Sequence, residues 1–256
     1  MNDRLRLAIA SLAAIATLPL AVIGLADLPR FGASVPALGA LIGQVGRDER
    51  KTENLVAAII FDYRAFDTMA EQFIIFSAII GVALLFRDVR SPDAGEAPAI
   101  IMRGARIDRS SATVTSARIL LPVVFLFGLY ATLHAHLTPG GGFQGGAILA
   151  SGLVLIYLGG SRELWTRMTP VALLDVVKAI SALTYIAIGV AGLAVGGAFL
   201  ENILPLGSAG SMTAGGTIPL LNIAAGVGVA AGLTLLFREY LDEVRAEGVN
   251  PEEERR

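Results

Sequence analysis

The residues able to do chemistry are few and lie at unusual places in an apolar chain. Glu71 sits inside a long apolar run, three to four residues beyond Asp67 and Thr68. A carboxylate that faces a low-dielectric helix bundle accepts and releases a proton readily, because desolvation penalises its charged form. The same residue near a helix N-terminus also fits an interfacial carboxylate held by the helix dipole. Asp175 and Lys178 stand at i, i+3 in another apolar run, on one helix face and within pairing reach. They read either as a snorkelling lysine with its neighbour or as an internal proton-handling pair. His134 and His136 are the only histidines. At i, i+2 they point to different helix faces, so the spacing speaks against a shared metal site and no metal or cofactor is expected. Between two apolar runs lies Thr138-Pro139-Gly140-Gly141-Gly142-Phe143-Gln144-Gly145-Gly146. Its proline and glycines break a helix, and at membrane depth such a break is tolerated only where protein or a watery cavity covers it. It is either a short extracytoplasmic hairpin or a packed re-entrant turn, with Gly141 and Gly142 expected at positive φ, where a β-branched residue is strained.

The elements that position these residues follow from composition. Hydrophobic residues make up 54% of the 256 and charged residues 16%, values that exceed the apolar content of soluble domains and indicate an integral membrane protein. The net charge of -2 argues against nucleic acid as a partner. With no cysteine, the chain offers no disulfide, iron–sulfur or Cys-type zinc site, so any redox centre would belong to another subunit. The glycine run precedes no Gly-Lys-Ser/Thr and is no phosphate loop. No nucleophile–base pair is evident, and an enzyme is not expected.

About 20 apolar residues at ~1.5 Å rise cross a bilayer core of ~30 Å. Runs of that size predict an all-α polytopic protein with six transmembrane helices near 5–26, 68–87, 115–134, 143–160, 171–198 and 218–238. The first is expected to be a retained signal-anchor helix. Residues 27–52 form an extramembrane loop with room for a short helix, and 54–63 a short interfacial or buried helix. Thr68 or Asp67 is expected to cap the second span. Residues 88–112 form a polar linker, Arg162 and Arg167 lie in a short loop with Trp165 as an interface anchor, and a charged tail follows Arg238. Lysine and arginine concentrate on the side of Arg4, Arg6, the run from Arg87 to Arg118, Arg162, Arg167 and the tail, so both termini are expected to be cytoplasmic. Glycines such as Gly152, Gly189, Gly192 and Gly226 suit close helix packing and assembly with other subunits.

His134, His136 and Leu137 through Gly146, followed by Ala147-Ile148-Leu149-Ala150-Ser151, resemble the signature of the B subunit of Mrp (Mnh) cation/proton antiporters. Gly215-Gly216-Thr217-Ile218-Pro219-Leu220-Leu221-Asn222 is similar to that subunit's last helix. The resemblance covers about 113–240 and implies a four-helix membrane domain in which His134, His136, Thr138, Pro139, Gly140, Gly141, Gly142, Phe143, Gly145 and Gly146 form the signature turn. It makes Thr217, Pro219 and Asn222 a candidate cation path. A second stretch, Asn54 to Glu71, resembles the C-terminal tail of the antiporter A subunit and the E-type subunit of membrane-bound hydrogenases. It covers about 1–87 and implies a role in the proton route for Glu71, although Ala70 stands where that family has glycine. With Asp67, Asp175 and Lys178, Glu71 completes the candidate proton pathway.

Two functions follow from this. In the first, the chain is an inner-membrane subunit of a multi-subunit Na+/H+ antiporter, with other membrane subunits, lipid, Na+ and H+ as partners. In the second, it is a structural or ion-translocating subunit of a redox-driven relative such as a membrane-bound hydrogenase. Few buried charges and no clear internal repeat mean that the chain is not expected to transport alone.

Overall fold

The computed structural model describes residues 3–26, 37–89, 110–160 and 162–247. The helices are α1 (Asp3–Ala26), α2 (Ala37–Arg50), α3 (Leu55–Ala58), α4 (Ala65–Val89), α5 (Ser111–Leu133), α6 (Gly142–Gly159), α7 (Arg162–Met168), α8 (Val171–Val195) and α9 (Ile218–Glu247), with a π-helical turn at Ile59–Tyr63. There is no strand among the described residues, so the fold is all-α, as expected. Among the described residues five helical stretches are long and apolar enough to cross a membrane: Ala65–Phe86, Ser111–Leu133, Gly142–Gly159, Glu163–Val195 and Ile218–Leu241. The apolar part of α1, Ser11–Ala26, is shorter.

The chain divides into two compact units, residues 1–41 and 42–256. The first contains α1, a helix of 24 residues with Pro19 inside it, and the first residues of α2. The second holds all the remaining helices and the candidate site.

In the second unit α9 is the central helix, packed against α6, α8, α4 and α5. Small residues make that possible. A Cβ on Gly146 would stand 2.4 Å from the Gly226 carbonyl oxygen, and one on Gly142 would stand 2.3 Å from the Asn222 carbonyl oxygen. α6 and α9 therefore touch backbone to backbone, the close approach that drives helix association where no hydrophobic force separates protein from lipid. Two apolar clusters flank α9 along its length. One joins Phe61, Ala65, Tyr185, Leu200, Ile218 and Leu221; the other joins Ile79, Leu174, Ala231 and Leu235. The outer faces of α4, α5 and α8 expose large apolar residues such as Ile74, Leu85, Val123, Leu126, Leu183 and Leu193. Lipid or other subunits must cover faces of that kind.

Several boundaries differ from expectation for identifiable reasons. α4 starts at Ala65 rather than 68, because the π-helical turn before it closes with Arg64 N–H donating to the Ile59 carbonyl at 2.8 Å and leads almost directly into the helix. Thr68 does not cap the span; its Oγ1 donates to the Ile60 carbonyl at 2.6 Å and ties α4 to that turn. The short helix expected at 54–63 is present and buried, with Ala57, Ala58 and Phe61 hardly exposed. Arg162 to Met168 is helical rather than a loop, and Trp165 is buried against Tyr157 and Phe237, with ring centroids 5.7 and 5.9 Å away. The last helix continues past Arg238 to Glu247, and the Arg238 guanidinium donates to the Thr169 carbonyl at 2.5 Å. Most of the expected linker, 90–109, and the end of the tail, 248–256, lie outside the described residues.

Candidate functional site: a clasped turn and a polar seam

The signature turn is built from the ends of two helices that cannot satisfy their own terminal groups. α5 leaves orphan carbonyls at its C-terminus and α6 orphan N–H groups at its start. Gly141 N–H donates to the Ala131 carbonyl at 3.2 Å, folding the chain back on α5. Asn222 on α9 then serves both ends. Its Oδ1 accepts from Gly142 N–H at 2.6 Å and its Nδ2 donates to the Thr132 carbonyl at 2.5 Å. Asn222 is fully buried, so both bonds form away from water.

A second clasp closes from the other side. Asn54 Nδ2 donates to the Ala135 carbonyl at 2.7 Å and the Thr138 carbonyl at 3.1 Å, and Asn54 N–H donates to the His136 carbonyl at 3.2 Å. Thr52 Oγ1 donates to that same carbonyl. Meanwhile Asn54 Oδ1 caps α3, accepting from Val56 and Ala57 N–H. Of the two readings open in the sequence, this geometry is the packed turn: Ala135, His136, Gly141 and Gly142 are all buried.

The glycines are needed for a different reason than expected. Gly141 has φ 170, extended backbone that any residue adopts, and Gly142 is the first residue of α6. Neither is at positive φ in the left-handed region. What forbids a side chain at Gly142 is the α9 backbone, and at Gly145 it is Thr132, whose Oγ1 would lie 2.1 Å from a Cβ. Positive-φ glycines occur instead in the 196–217 loop, at Gly197, Gly207, Gly210, Gly215 and Gly216.

The two histidines turn to different neighbours. His134 stacks on Tyr130 with centroids 4.6 Å apart. His136 is fully buried, with Nε2 3.1 Å from the Met212 carbonyl and Nδ1 without a hydrogen-bond partner. A carbonyl accepts only, so Nε2 carries the proton and Nδ1 is a bare lone pair. Burial lowers the affinity of this ring for a second proton, and the Met212 and Ser211 carbonyls oppose that pull only in part. Phe143 packs against the upper apolar cluster, and Pro139 is exposed.

In the candidate cation path, Thr217 Oγ1 is buried without a partner while its N–H donates to Asn202 Oδ1 at 2.9 Å. Pro219 lies in the first turn of α9. Asn202 also donates to the Gly215 carbonyl at 2.9 Å and to Asp62 Oδ2 at 2.7 Å. Asp62 was not singled out by sequence reasoning, yet its side chain is 7% exposed and pairs with Arg50 Nε at 3.1 Å. Burial raises the Asp62 carboxyl above the ordinary carboxylate range, against the opposing influence of Asn202 and Arg50. The π-helical turn presents it, an irregularity that recurs at functional positions.

The candidate proton-pathway residues separate into two groups. Asp67 is exposed and held by Arg64 at 2.5 Å, so it is already paired. Glu71 is exposed on α4 between Phe66, Phe73 and Ile74, all exposed as well, and no described residue forms an ion pair with it. Next to it, Gln72 is buried, with neither amide atom bonded. Across the seam, α8 carries Lys178, Ser181 and Tyr185 on one face. Lys178 Nζ pairs with Asp175 at 3.1 Å and lies 5.9 Å from the Phe76 ring of α4. Its side chain is 13% exposed against 54% for Asp175, so the lysine is largely drawn into the seam. The structure therefore leaves Glu71 on the exposed face of α4, one residue from buried Gln72, draws Lys178 into the seam beside Phe76, and holds Asp67 apart with Arg64.

The chain resembles known proteins over most of its length. A domain related to the MnhB subunit of Na+/H+ antiporters matches residues 112–235. An uncharacterized protein of Methanocaldococcus jannaschii is 30% identical over 222 residues, 79% of this chain and 82% of that one. The B subunit of the Na+/H+ antiporter of Alkalihalophilus pseudofirmus is 36% identical over 88 residues, 34% of this chain and 59% of that protein. Among solved structures, a chain of the archaeal membrane-bound sulfane sulfur reductase is 29% identical with a TM-score of 0.66, over 93% of this chain and 98% of that one. The Mrp complex of a Dietzia species shares the fold at 22% identity and a TM-score of 0.63, over 93% of this chain and 26% of that chain. The signature turn, the helix it leads into and most of the last helix fall inside the matched domain, and the chain belongs to the family related to the MnhB subunit of Na+/H+ antiporters.

Proposed function

We infer that this chain is a membrane subunit of a multi-subunit monovalent cation/proton antiporter, contributing to assembly and to ion translocation. The observation that carries the reading is Glu71. Its carboxylate lies about 9 Å inside the span that begins at Ala65, on an apolar face, with no counter-charge paired to it among the described residues. A lone carboxylate at such a place is costly unless it is functional or completed by a neighbouring subunit. Residues 113–240 form the B-like part and 1–87 the A-tail-like part; from residue 42 onward they pack together. Asp175 and Lys178 belong to the same proton route. Thr217, with its free oxygen, is the residue of the cation path best placed to meet an ion, and Pro219 and Asn222 shape its surroundings. The membrane is the cell membrane, both termini are cytoplasmic, and a cysteine placed at residue 250 should be labelled only from the cytoplasmic side.

The test is Glu71→Gln, which keeps size and hydrogen bonding and removes titration. The complex should assemble, with proton-coupled cation exchange in vesicles strongly lowered, and Glu71→Asp should be milder. Normal exchange in the assembled Gln variant would return Glu71 to an interfacial carboxylate. A second reading, a subunit of a redox-driven relative, draws on the 29% identity to the sulfane sulfur reductase chain. Iron–sulfur subunits co-purifying with this one would decide in its favour.

A further inference from the structure

The seam between α4, α8 and α9 contains a polar layer that the chain itself does not satisfy. Gln72 and Tyr185 are each 1% exposed, and the Gln72 Nε2 and Oε1 and the Tyr185 hydroxyl have no hydrogen-bond partner. Ser181, one turn from Tyr185 on α8, donates to the Ala224 carbonyl at 2.6 Å, and its lone pairs remain available. Above and below this layer lie the two apolar clusters, with Tyr185 itself reaching into the upper one. Three polar atoms left dry between them would be expensive, and buried polar atoms of this kind are bonded in nearly all proteins. Gly228 lets the polar side chains of α8 and α4 draw together against α9. A Cβ there would lie 2.2 Å from Ser181 Oγ and 3.1 Å from Gln72 Oε1, so the two polar side chains border the same space from α8 and α4. Buried polar groups that converge without satisfying one another suit a bridging water.

The layer also has charged residues at both ends. Glu71 precedes Gln72 by one residue on α4. Lys178 is one turn from Ser181 in the other direction, beside Phe76 of α4, and is paired with Asp175. Resting on the reading of Glu71 as a proton carrier, we propose that ordered waters bridge the Gln72 amide, Ser181 Oγ and the Tyr185 hydroxyl, and that this file relays protons between Glu71 and the Lys178–Asp175 pair. Glu71 releases its proton to the nearest water. Each water passes one proton on and receives another, and the Asp175 carboxylate accepts the last before releasing it to solvent. Gln72, Ser181 and Tyr185 hold the file in place and end each transfer unchanged, so they are positioning residues.

The experiment uses the whole complex in proteoliposomes, with Gln72→Leu and Tyr185→Phe compared to Glu71→Gln. Both seam variants should assemble and keep the KM for the cation, while exchange falls about tenfold or more, less than the roughly 10²–10⁴-fold that loss of a proton-transfer group itself costs. The ratio of rates in H2O and D2O should rise, since proton movement becomes limiting, and Gln72→Glu should recover part of the rate. A packing defect alone would lower the rate without moving the isotope ratio, and that result overturns the relay. Normal exchange in both seam variants beside an inactive Glu71→Gln also overturns it and leaves the antiporter reading standing; an active Glu71→Gln removes that reading itself. Should Gln72→Leu fail to assemble, a high-resolution map of the unaltered complex decides: water is expected within hydrogen-bond reach of Gln72 and Tyr185, and a direct Gln72–Tyr185 bond with no water overturns the proposal.

Discussion

Replacing Asn222 with leucine removes both partners of a helix junction at nearly constant volume. Asn222 Oδ1 accepts the first amide of α6 and its Nδ2 donates to a terminal carbonyl of α5. The site is fully buried, so water cannot substitute, and two backbone groups are left orphaned. Each such group costs ~1–3 kcal/mol, which places the whole effect at roughly 2–6 kcal/mol. Some of this is recovered by the apolar side chain, and a net loss of about 3 kcal/mol corresponds to a melting shift on the order of 10 °C. The assay is thermal melting of the detergent-solubilised complex, followed by size-exclusion chromatography. Asn222→Asp should fall nearly as far, since it keeps the acceptor for Gly142, loses the donor to Thr132 and turns carboxylate oxygen towards a carbonyl. An Asn222→Leu complex that melts as the unaltered one does, with changed cation preference, would show that the amide serves an ion and not the junction.

Gly142→Ala should impair assembly more than Gly141→Ala, because the first meets the α9 backbone and the second meets mainly the movable Gln144 side chain, 2.1 Å from the new Cβ; equal subunit levels on blots would contradict the packing account. His136 gives a pH dependence of definite sign. Burial depresses its folded-state proton affinity, so below the unfolded value of about 6.5 the unfolded chain binds a proton that the folded one refuses. Stability should therefore be complete above that pH and decline as pH falls below it, and His136→Gln should flatten the melting profile there. Asp62, raised in the folded state, acts in the opposite sense at lower pH, where acidification relieves its burial.

The spans, the break at Thr138–Gly146 and the lone carboxylate in α4 were legible because each is a local pattern: length of an apolar run, helix-breaking residues, charge out of place. What holds the break together was not local. Asn54 carries no reading of its own in the sequence, because its partners in the turn lie more than 80 residues away. Asp62 was not singled out in the sequence, because only the π-helical turn, Arg50 and Asn202 from the far loop make it a shielded carboxylate. The expectation of positive φ at Gly141 and Gly142 failed because glycine has two uses, free backbone and absent side chain, and sequence alone does not separate them. The end of α9 was set too early because charge marks exposure, and an exposed helix remains a helix.

The Asn222 clasp and the seam share α9, so under the proposed function assembly is tied to transport. Asn222 fixes the turn, while Ala224 and Gly228, on the following turns of the same helix, accept Ser181 and make room beside Gln72. A shift of α9 along its axis would open the junction at Thr132 and Gly142 and close the space at Gly228 together, since a helix moves as a rigid element over two turns. Under the proposed relay, the turn that carries the family signature acts as a register pin for the polar layer and need touch neither ion to matter for exchange. On this account variants in the turn and in the seam should fail in different ways. Turn variants should lose assembled complex and proton exchange in proportion, and seam variants should lose exchange per assembled complex. Measuring both quantities in the same vesicles separates them, and a turn variant that assembles fully yet exchanges no protons would mean that the turn meets an ion directly.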